Sequence, residues 1–517
     1  RDRFSYEGLY TEDRLTRPMV RGDDGQWREA SWNDAMQTIV AGMNAVREKF
    51  GADQLGCIGS ATSTTEELAL LARLGRALGT ENVDFRLRQT DARLDGALAG
   101  VPWLGMPLTA LNELDRVLVV GSFLRKDHPL MAQRLRQAVK RGAQVSFIDS
   151  AADNPLFNAI AGRMTVAPSQ LANSLAQVLV AVAKAKDSAV PAGLEGVQVS
   201  AEAQQIADSL ASGERVAILL GNMAVNSDQA SVIAANANAI AQASGAKLGF
   251  LTAGGNTVGG YLANAVPGKG GLTAEQMLAQ TLRAYLVLNV EPALDSDLGE
   301  RAVETLKSAT FSVALTSYRS AAEQWADVML PVSPFTETSG TFVNAEGRVQ
   351  SFKGAAAPVG DTRPAWKVLR VLGNLFQLDG FDDETSESVR DSVMAAGVES
   401  RLSNQINLAA SVLPAASGLE RVADVPIYRS DALVRRSAPL QETPASAAPT
   451  ARMAAATLAQ LGLADGDLVK VRSSQGEVSL PAQLDDTVAL NSVRVATAFS
   501  ETAALGSAFG QLTVERA

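Results

Sequence analysis

Short, wholly apolar segments alternate with amphipathic segments along most of the chain. "DRVLVVGS" leads into "PLMAQRLRQAVKRG", and "ERVAILLGN" leads into "SDQASVIAANANAIAQASG". Further apolar segments follow in "KLGFLT", "AYLVLNV" and "TFSVALTS". Strands that are apolar on both faces are typical of parallel sheets covered by helices on both sides. The alternation therefore predicts a doubly wound α/β fold with parallel sheets.

The last part of the chain has a different pattern. Residues 453–517 contain short β-like runs separated by "ADGD", "SSQG" and "LDDT", which predicts a small β-barrel-like domain. Before it, "RRSAPLQETPASAAPTAR" is rich in Pro, Ala, Ser and Thr, a composition that favours an exposed crossing segment over a core element. "TFVNAEGRVQ" predicts a hairpin that turns at residues 344–347.

These patterns divide the chain into five parts. The predicted division comprises a lead-in (1–50), an α/β domain made of two segments (51–104 and 206–380), an inserted Rossmann-like α/β domain (105–205), a connecting segment (381–452) and the small β domain (453–517).

Charge and the length of apolar runs exclude several kinds of partner. The 46 basic and 56 acidic residues give a net charge of −10, and neither sign is gathered into long runs. No nucleic acid is therefore expected as a partner. The longest apolar stretches fall well short of the roughly 18–20 residues that a membrane span needs, so direct membrane insertion is not expected either.

Cys57 and His128 are the only residues of their kinds. Iron–sulfur clusters need several Cys ligands and structural zinc needs about four Cys or His ligands, so this chain can build neither. Cys57 lies in the strand-like "DQLGCIGS" and is interpreted as a buried structural thiol, with a reactive thiol as the alternative. His128 precedes a Pro at the start of a helix and is interpreted as structural, with a general base paired with Asp127 as the alternative.

Two further groups of residues have alternative interpretations. Glycine-containing loops can bind phosphate at the carboxyl ends of parallel strands, but no loop here shows GxGxxG or GxxxxGK[ST], so simple turns are the favoured interpretation. Glu337 and Glu346 could be paired for acid and base catalysis, whereas the favoured interpretation makes Glu346 an exposed turn residue. The glycine-containing loops considered for phosphate binding are those at Gly121 and Ser122, Gly221 and Asn222, and Gly254 and Gly255.

Several stretches, taken in this order, resemble the molybdopterin oxidoreductase family: "GTENVDFRLR", "DRVLVVGS", "ADVMLPV", "GTFVNAEGRVQ" and "LGLADGDLVKVRSSQGEV". Within that superfamily, "GLTAEQMLAQTLRAYLVLNVEPALDSDLG" and "VPIYRSDALVRRSAPLQET" are similar to the large iron–sulfur subunit of bacterial NADH-quinone oxidoreductase, respiratory complex I. The similarity covers nearly the whole chain, and "IYRSDALVRRSAPLQ" is its most specific part. The resemblance implies sheets of the molybdopterin oxidoreductase type.

The resemblance gives a meaning to the stretch "NVDFRLRQTD". In active formate dehydrogenases the matching segment presents a Cys or selenocysteine that ligates molybdenum, and this position falls on Thr90 here. A Thr hydroxyl is neutral and hard to deprotonate, and neither Gln89 nor Asp91 is a thiol. The tail from Met453 onward is also shorter than the cofactor-capping domain of active enzymes. The resemblance therefore implies that this chain has no catalytic, cofactor-binding or metal-binding residues.

The resemblance also implies features outside this sequence. "RDRFSYEGLYTEDRLTRPMVR" resembles the sequence that follows the last Cys ligand of the cluster domains in the large iron–sulfur subunit, so 2Fe-2S and 4Fe-4S clusters are expected in a missing N-terminal region. The expected partners are the other peripheral-arm subunits of complex I. The expected location is the cytoplasmic side of the bacterial inner membrane.

Three hypotheses for the function follow. The favoured one is a cofactor-free scaffold part of the large iron–sulfur subunit of the proton-pumping NADH-quinone oxidoreductase, a translocase in which this part is itself non-catalytic. The second is an active molybdopterin-dependent oxidoreductase of the formate dehydrogenase type, with a metal ligand from Thr90, Asp91 or the cofactor alone. The third is an unrelated nucleotide-binding α/β module that uses the glycine loops.

Overall fold

The computed structural model describes residues 2–414 and 416–517. Its strands are β1 (Met19–Arg21), β2 (Trp27–Glu29), β3 (Leu55–Ile58), β4 (Val83–Asp84), β5 (Arg116–Val120), β6 (Gln144–Asp149), β7 (Gly162–Thr165), β8 (Val216–Leu220), β9 (Lys247–Phe250), β10 (Ala284–Leu288), β11 (Phe311–Thr316), β12 (Val328–Pro331), β13 (Gly340–Val343), β14 (Val349–Phe352), β15 (Leu419–Val422), β16 (Ala451–Met453), β17 (Leu468–Arg472), β18 (Glu477–Leu484), β19 (Ser492–Arg494) and β20 (Gln511–Arg516).

The α-helices lie between these strands and beyond β14. They are α1 (Trp32–Phe50), α2 (Thr65–Ala77), α3 (Arg93–Ala97), α4 (Leu124–Asp127), α5 (Pro129–Lys140), α6 (Leu171–Ala185), α7 (Ala201–Ala211), α8 (Asn222–Asn226), α9 (Ala230–Ser244), α10 (Thr257–Leu262), α11 (Ala274–Gln280), α12 (Pro292–Asp295), α13 (Glu300–Ser308), α14 (Ala365–Leu375), α15 (Ser386–Met394), α16 (Ala432–Arg435), α17 (Ala438–Gln441) and α18 (Ala455–Gln460).

The larger sheet has seven strands in the order β2-β1-β12-β11-β10-β3-β4. The five from β12 to β4 are parallel, whereas β1 runs antiparallel to both β12 and β2. Leu286 of β10 packs into the core on one face and Val287 into the core on the other, so the sheet is covered on both sides. Because β1, β2 and α1 belong to this domain, residues 19–50 are an integral part of it and not only a lead-in.

The second sheet has five parallel strands in the order β7-β6-β5-β8-β9. Leu118 of β5 faces a core that includes α6, α7 and α9, and Val119 faces a core that includes α5. The predicted doubly wound fold with parallel sheets is confirmed. The sequence-based boundary at residue 205 differs from this topology, because β8 and β9 pair beside β5 instead of joining the larger sheet.

The C-terminal strands form a closed barrel in the order β15-β19-β16-β18-β17-β20, which confirms the predicted barrel-like domain. It begins earlier than residue 453, because β15, from the predicted connecting segment 381–452, fills the gap between β19 and β20. Glu420 of β15 accepts hydrogen bonds from the Ser169 backbone N–H at 2.9 Å and the Ser169 hydroxyl at 2.6 Å. The barrel is therefore fastened to the five-stranded domain through the strand that closes it.

Local sequence signals position the elements that follow β3. The Thr64 hydroxyl accepts from the Glu67 backbone N–H at 3.2 Å, and the Glu67 carboxylate accepts from the Thr64 N–H at 2.9 Å. This reciprocal cap starts α2. The predicted hairpin is also present, as β13 and β14, and Gly347 at its turn has a φ of +83°. Within the described residues, none of the helices has both the length and the apolar character that a membrane crossing requires.

Candidate functional site

The loop that follows β4 lies between the two α/β domains. It carries Thr90, whose hydroxyl donates a hydrogen bond of 2.9 Å to the backbone oxygen of Asn226. Asn226 ends α8, the short helix after β8 of the five-stranded sheet. The side chain at the predicted ligand position therefore bridges the carboxyl ends of two sheets.

Buried ion pairs fill the first half of this loop. The Arg86 Nε donates to Asp84 Oδ1 at 2.7 Å, and its Nη2 donates to Asp95 Oδ2 at 2.8 Å. Gln89 Nε2 donates to Asp95 Oδ1 at 3.0 Å, and the Tyr261 ring lies 5.3 Å from the Arg86 guanidinium carbon. Burial lowers the pKa of Arg86, but Asp84, Tyr261 and Asp95 outweigh this and raise it well above its ordinary value. The Arg86 guanidinium is therefore charged, and it stabilises the loop through its ion pairs with Asp84 and Asp95.

Asp91 is equally engaged. Its Oδ1 accepts from Arg93 Nε at 2.7 Å, and its Oδ2 accepts from the Ser231 hydroxyl at 2.5 Å and the Ser231 backbone N–H at 2.9 Å. Burial raises the pKa of this carboxyl, but the bonds from Arg93 and Ser231 outweigh it and lower the pKa below its ordinary value. Asp91 is thus an ionised structural anchor between the loop and α9.

The glycines at the strand ends allow one loop to approach another. A Cβ on Gly121, which has a φ of +57°, would lie 2.6 Å from the Ala224 nitrogen. A Cβ on Gly221 would lie 2.2 Å from the Ser122 Cβ, and one on Gly254 would lie 2.5 Å from the Ala61 Cβ. Close packing of protein against protein accounts for these three glycines without a bound phosphate. Gly255 has open space beside it.

His128 and Asp127 do not form a catalytic pair in this structure. His128 is buried and its Nε2 donates to the Thr252 backbone oxygen at 3.1 Å. Burial lowers its pKa to about 4, so the imidazole is neutral near pH 7. Burial, together with Asp424 and Asp153, raises the pKa of Asp127 to about 8.

Cys57 lies in the centre of β3 and is 0% exposed. Burial raises its pKa to about 12, so the reactive thiolate form is disfavoured near neutral pH. The thiol packs as a small apolar side chain in the core of the seven-stranded domain.

Glu337 and Glu346 have separate structural partners. Glu337 is buried and forms a bidentate ion pair with Arg14, in which both N–O distances are 3.0 Å. Glu346 accepts from the Leu108 backbone N–H at 2.6 Å, and its side chain is largely buried. The expectation that Glu346 is an exposed turn residue is therefore wrong, because the hairpin turn packs against the segment that leads to β5.

The sequence model of the molybdopterin oxidoreductase family matches residues 14–375, and that of the molybdopterin dinucleotide binding domain matches residues 431–517. The chain belongs to the molybdopterin oxidoreductase family.

Individual relatives within this family carry two kinds of name. A protein of Streptomyces coelicolor that is named as one of the subunits of NADH-quinone oxidoreductase is 27% identical over 94% of this chain and 61% of that protein. A putative formate dehydrogenase of Staphylococcus aureus is 24% identical over 73% of this chain and 45% of that protein. The chain thus spans less than two thirds of the length of these relatives. Acetylene hydratase from Pelobacter acetylenicus has the same fold, with a TM-score of 0.70 over 99% of this chain and 93% of that chain, at 13% identity.

Neither Thr90 nor Asp91 of this molybdopterin oxidoreductase loop fits the role of a molybdenum ligand. Thr90 uses its hydroxyl hydrogen on Asn226, and both oxygens of Asp91 are occupied by Arg93 and Ser231. Across the described residues there is no group of three or more His, Cys, Asp or Glu side chains arranged to hold a metal ion. No step of chemistry is assigned to this loop.

A second polar cluster of this family member lies nearby and was missed in the sequence. The stretch "RRSAPLQETPASAAPTAR" is predicted to be exposed, and Ala438, Pro439 and Glu442 are exposed, but the Arg435 side chain is only 5% exposed and lies against Glu291 and Asp295. The prediction is wrong at Arg435, because this part of the stretch lies against two carboxylates that follow β10. The two adjacent arginines, Arg435 and Arg436, were the available signal in the sequence.

Proposed function

We propose that this chain is the cofactor-free scaffold part of the large iron–sulfur subunit of an NADH-quinone oxidoreductase. The bond between Thr90 and Asn226 carries the proposal, since it engages the hydroxyl of the residue that the sequence resemblance aligns with the metal ligand of active family members. The Streptomyces coelicolor relative, which is similar over 94% of the chain and carries the name of this enzyme, supports the same assignment.

In this role the chain supports an iron–sulfur domain and neighbouring peripheral-arm subunits of the complex. Electrons from NADH pass to quinone through clusters held elsewhere, so this part of the translocase contributes shape and contacts and no redox group. Its proposed location is the peripheral arm, on the cytoplasmic side of the bacterial inner membrane.

Metal analysis of the purified chain tests the proposal. Molybdenum and tungsten per polypeptide should stay at trace level when the chain is produced in a host that loads its own molybdopterin enzymes. Thr90→Cys is the matched variant, because it supplies the missing thiol. It should remain metal-free as well, since the ion pairs of Arg86 with Asp84 and Asp95 still fill the loop. Stoichiometric molybdenum or tungsten in the unaltered chain would contradict the proposal.

Assembly in the host provides a second test. Deleting the coding region for residues 14–517 should reduce the amount of assembled complex on native gels, while the NADH-to-quinone turnover of each remaining complex stays close to normal. Normal assembly without these residues would argue against a scaffold.

The formate dehydrogenase type of enzyme is the second candidate, favoured by the Staphylococcus aureus relative that carries this name. It requires a bound metal, so the same metal analysis, combined with a formate oxidation assay, separates the two candidates.

A further inference from the structure

A cleft of about 390 Å³ lies beside the hairpin of β13 and β14. Its walls are formed by residues 337–339, which precede β13, by the segment that follows β14, and by the first turns of α14 and α15. Small-molecule sites are typically clefts of about 300–1,000 Å³ with a few convergent polar groups. The cleft is therefore large enough for a small ligand, and it shares no residue with the loop that carries Thr90.

α14 begins at this cleft without a side-chain cap. Its N-cap is Pro364, and among the described residues no side chain accepts a hydrogen bond from the start of the helix. The first backbone N–H groups of a helix have no partner within it, and the helix dipole adds a partial positive charge there. α15 begins at the same cleft but is capped, because the Thr385 hydroxyl accepts from the Ser388 N–H at 3.1 Å. The uncapped donors of α14 are therefore available to an anion.

Trp366, the second residue of α14, is an unpartnered donor that lines the cleft. The residue is only 3% exposed, and its buried Nε1 has no hydrogen-bond partner within the part of the chain that the structure describes. An indole N–H can only donate, and buried donors in native proteins nearly always have a partner. An acceptor oxygen of a ligand in the cleft provides that partner.

Two lysines bring positive charge to the cleft. Lys353 follows β14 and Lys367 is the third residue of α14, and both are exposed. The Lys367 Nζ lies 5.3 Å from the centre of the Trp366 ring, so the charge and the indole are neighbours. An ammonium group is a compact charge with three donors, and lysine is a common partner of phosphate groups. The lysines, the indole and the start of α14 thus all favour an anion.

The two carboxylates that line the cleft are already engaged. Both oxygens of Glu337 are paired with Arg14, and Glu387 accepts from the Ser386 hydroxyl at 3.0 Å. Hydrogen bonds from its own backbone N–H and from Ser386 lower the pKa of Glu387, and the charge of Lys353 contributes to this lowering. Because Arg14 balances Glu337, the two lysines face only the single negative charge of Glu387, and the lining is positive overall.

We propose that this cleft binds the phosphate group of a small phosphomonoester. The phosphate oxygens accept hydrogen bonds from the first N–H groups of α14 and from Trp366 Nε1, while Lys353 and Lys367 balance the charge. A phosphate monoester carries about 1.5 to 2 negative charges near pH 7, which matches two lysines better than a single carboxylate does. The cleft is larger than a phosphate group, so it also holds the esterified alcohol. The proposal stands whether or not the scaffold role is correct.

Calorimetric titration of the full chain with glycerol 2-phosphate, at constant ionic strength, tests the proposal. Binding should be saturable, with one site per chain. Lys353→Gln and Lys367→Gln should each weaken the affinity about tenfold, because each removes a charge-assisted hydrogen bond to the phosphate. Lys307→Gln is the matched control, since Lys307 is an exposed lysine near the end of α13, and this variant should keep the affinity of the unaltered chain.

Trp366→Phe tests the buried donor, because phenylalanine keeps an aromatic ring and lacks the N–H. The affinity should again fall about tenfold, the value of a hydrogen bond to a charged acceptor. Thermal unfolding without ligand shows whether this buried variant is folded. If it is not, the two lysine variants still decide the matter, because their side chains are exposed and their loss leaves the core intact.

Two further ligands separate the phosphate group from the rest of the molecule. Glycerol should not bind, and inorganic phosphate should bind more weakly than glycerol 2-phosphate, because it leaves part of the cleft empty. Absence of binding by glycerol 2-phosphate at millimolar concentration would overturn the proposal. Equal affinities for inorganic phosphate and the ester, or full affinity in both lysine variants, would overturn it as well.

Discussion

Thr90 and Asn226 join the two α/β domains, with the Thr90 hydroxyl 2.9 Å from the Asn226 backbone oxygen. The two residues are separated by 136 positions in the chain, and each follows the carboxyl end of a strand in a different sheet. A hydroxyl that donates a hydrogen bond to a carbonyl oxygen is a poor candidate for a metal ligand. Substitution of Thr90 therefore has a specific expected outcome.

Thr90→Ala should leave NADH-to-quinone turnover per assembled complex nearly unchanged, since no electron is proposed to pass through this loop. The isolated chain should lose only the value of one hydrogen bond, about 0.5–1.5 kcal/mol of unfolding free energy. Thr90→Ser keeps the hydroxyl and is the control. Turnover per complex and thermal unfolding are the measurements, and a large loss of turnover in fully assembled Thr90→Ala complex would restore a catalytic role for the loop.

Gly347→Val should destabilise the hairpin and reduce the amount of assembled complex. Gly347 has a φ of +83°, and a Cβ there would lie 2.6 Å from Leu402 Cδ1. The conformational strain alone costs on the order of 1–3 kcal/mol. Gly142→Val is the control, since Gly142 has a φ of +97° but no atom within 4 Å of its Cβ position. Thermal unfolding should show a larger loss for the Gly347 variant, and equal losses would mean that the contact with Leu402 adds nothing.

Asp127→Asn should stabilise the chain increasingly as the pH rises. Burial raises the folded-state pKa of Asp127 to about 8, and the nearby carboxylates of Asp424 and Asp153 contribute to this rise. The unfolded value is about 3.9. Between these two values the folded chain holds a proton that the unfolded chain has released, so this group lowers stability as the pH rises through that window. Asparagine does not titrate and removes this loss.

The measurement for Asp127→Asn is Tm against pH, compared with the unaltered chain and with Asp23→Asn at an exposed position. The difference in Tm between the Asp127 variant and the unaltered chain should grow with pH and level off above pH 8. A difference that is independent of pH would show that Asp127 ionises normally in the fold.

A fragment of residues 453–517 should not fold cooperatively by itself. It lacks β15 and nearly all of β16, which are the two neighbours of β19, so one strand loses both of its partners and the barrel stays open. A fragment of residues 418–517 retains every barrel strand and serves as the comparison. Circular dichroism and thermal unfolding should show more β structure in the longer fragment, and a sharp unfolding transition in the shorter one would contradict the prediction.

Removing residues 453–517 should also lower the Tm of the remaining body, residues 2–452. Arg494 of β19 pairs with Asp153 of the five-stranded domain at 2.9 Å, and the Ala489 backbone N–H donates to the Ser150 backbone oxygen at 3.1 Å. An unchanged Tm of the truncated body would show that these contacts contribute no stability.

The sequence by itself determined the class of the fold and most of its elements. The runs at β5, β8, β10 and β11 are short, apolar and flanked by turn residues, and local chain physics is sufficient to make such runs strands in a covered sheet. The reciprocal cap of Thr64 and Glu67 and the turn at Gly347 were equally predictable, because their partners lie within a few residues along the chain.

Only the tertiary structure decided which sheet each strand joins and which charges are buried. Apolar strands of parallel sheets have nearly the same composition, so the pattern of β8 and β9 does not show that they pair beside β5. The polar segment that contains Arg435 has the composition of an exposed crossing segment, and its burial depends on Glu291, which lies 144 positions earlier in the chain. Pairing energies between distant residues are absent from local patterns, since they arise only when the fold brings the two groups together.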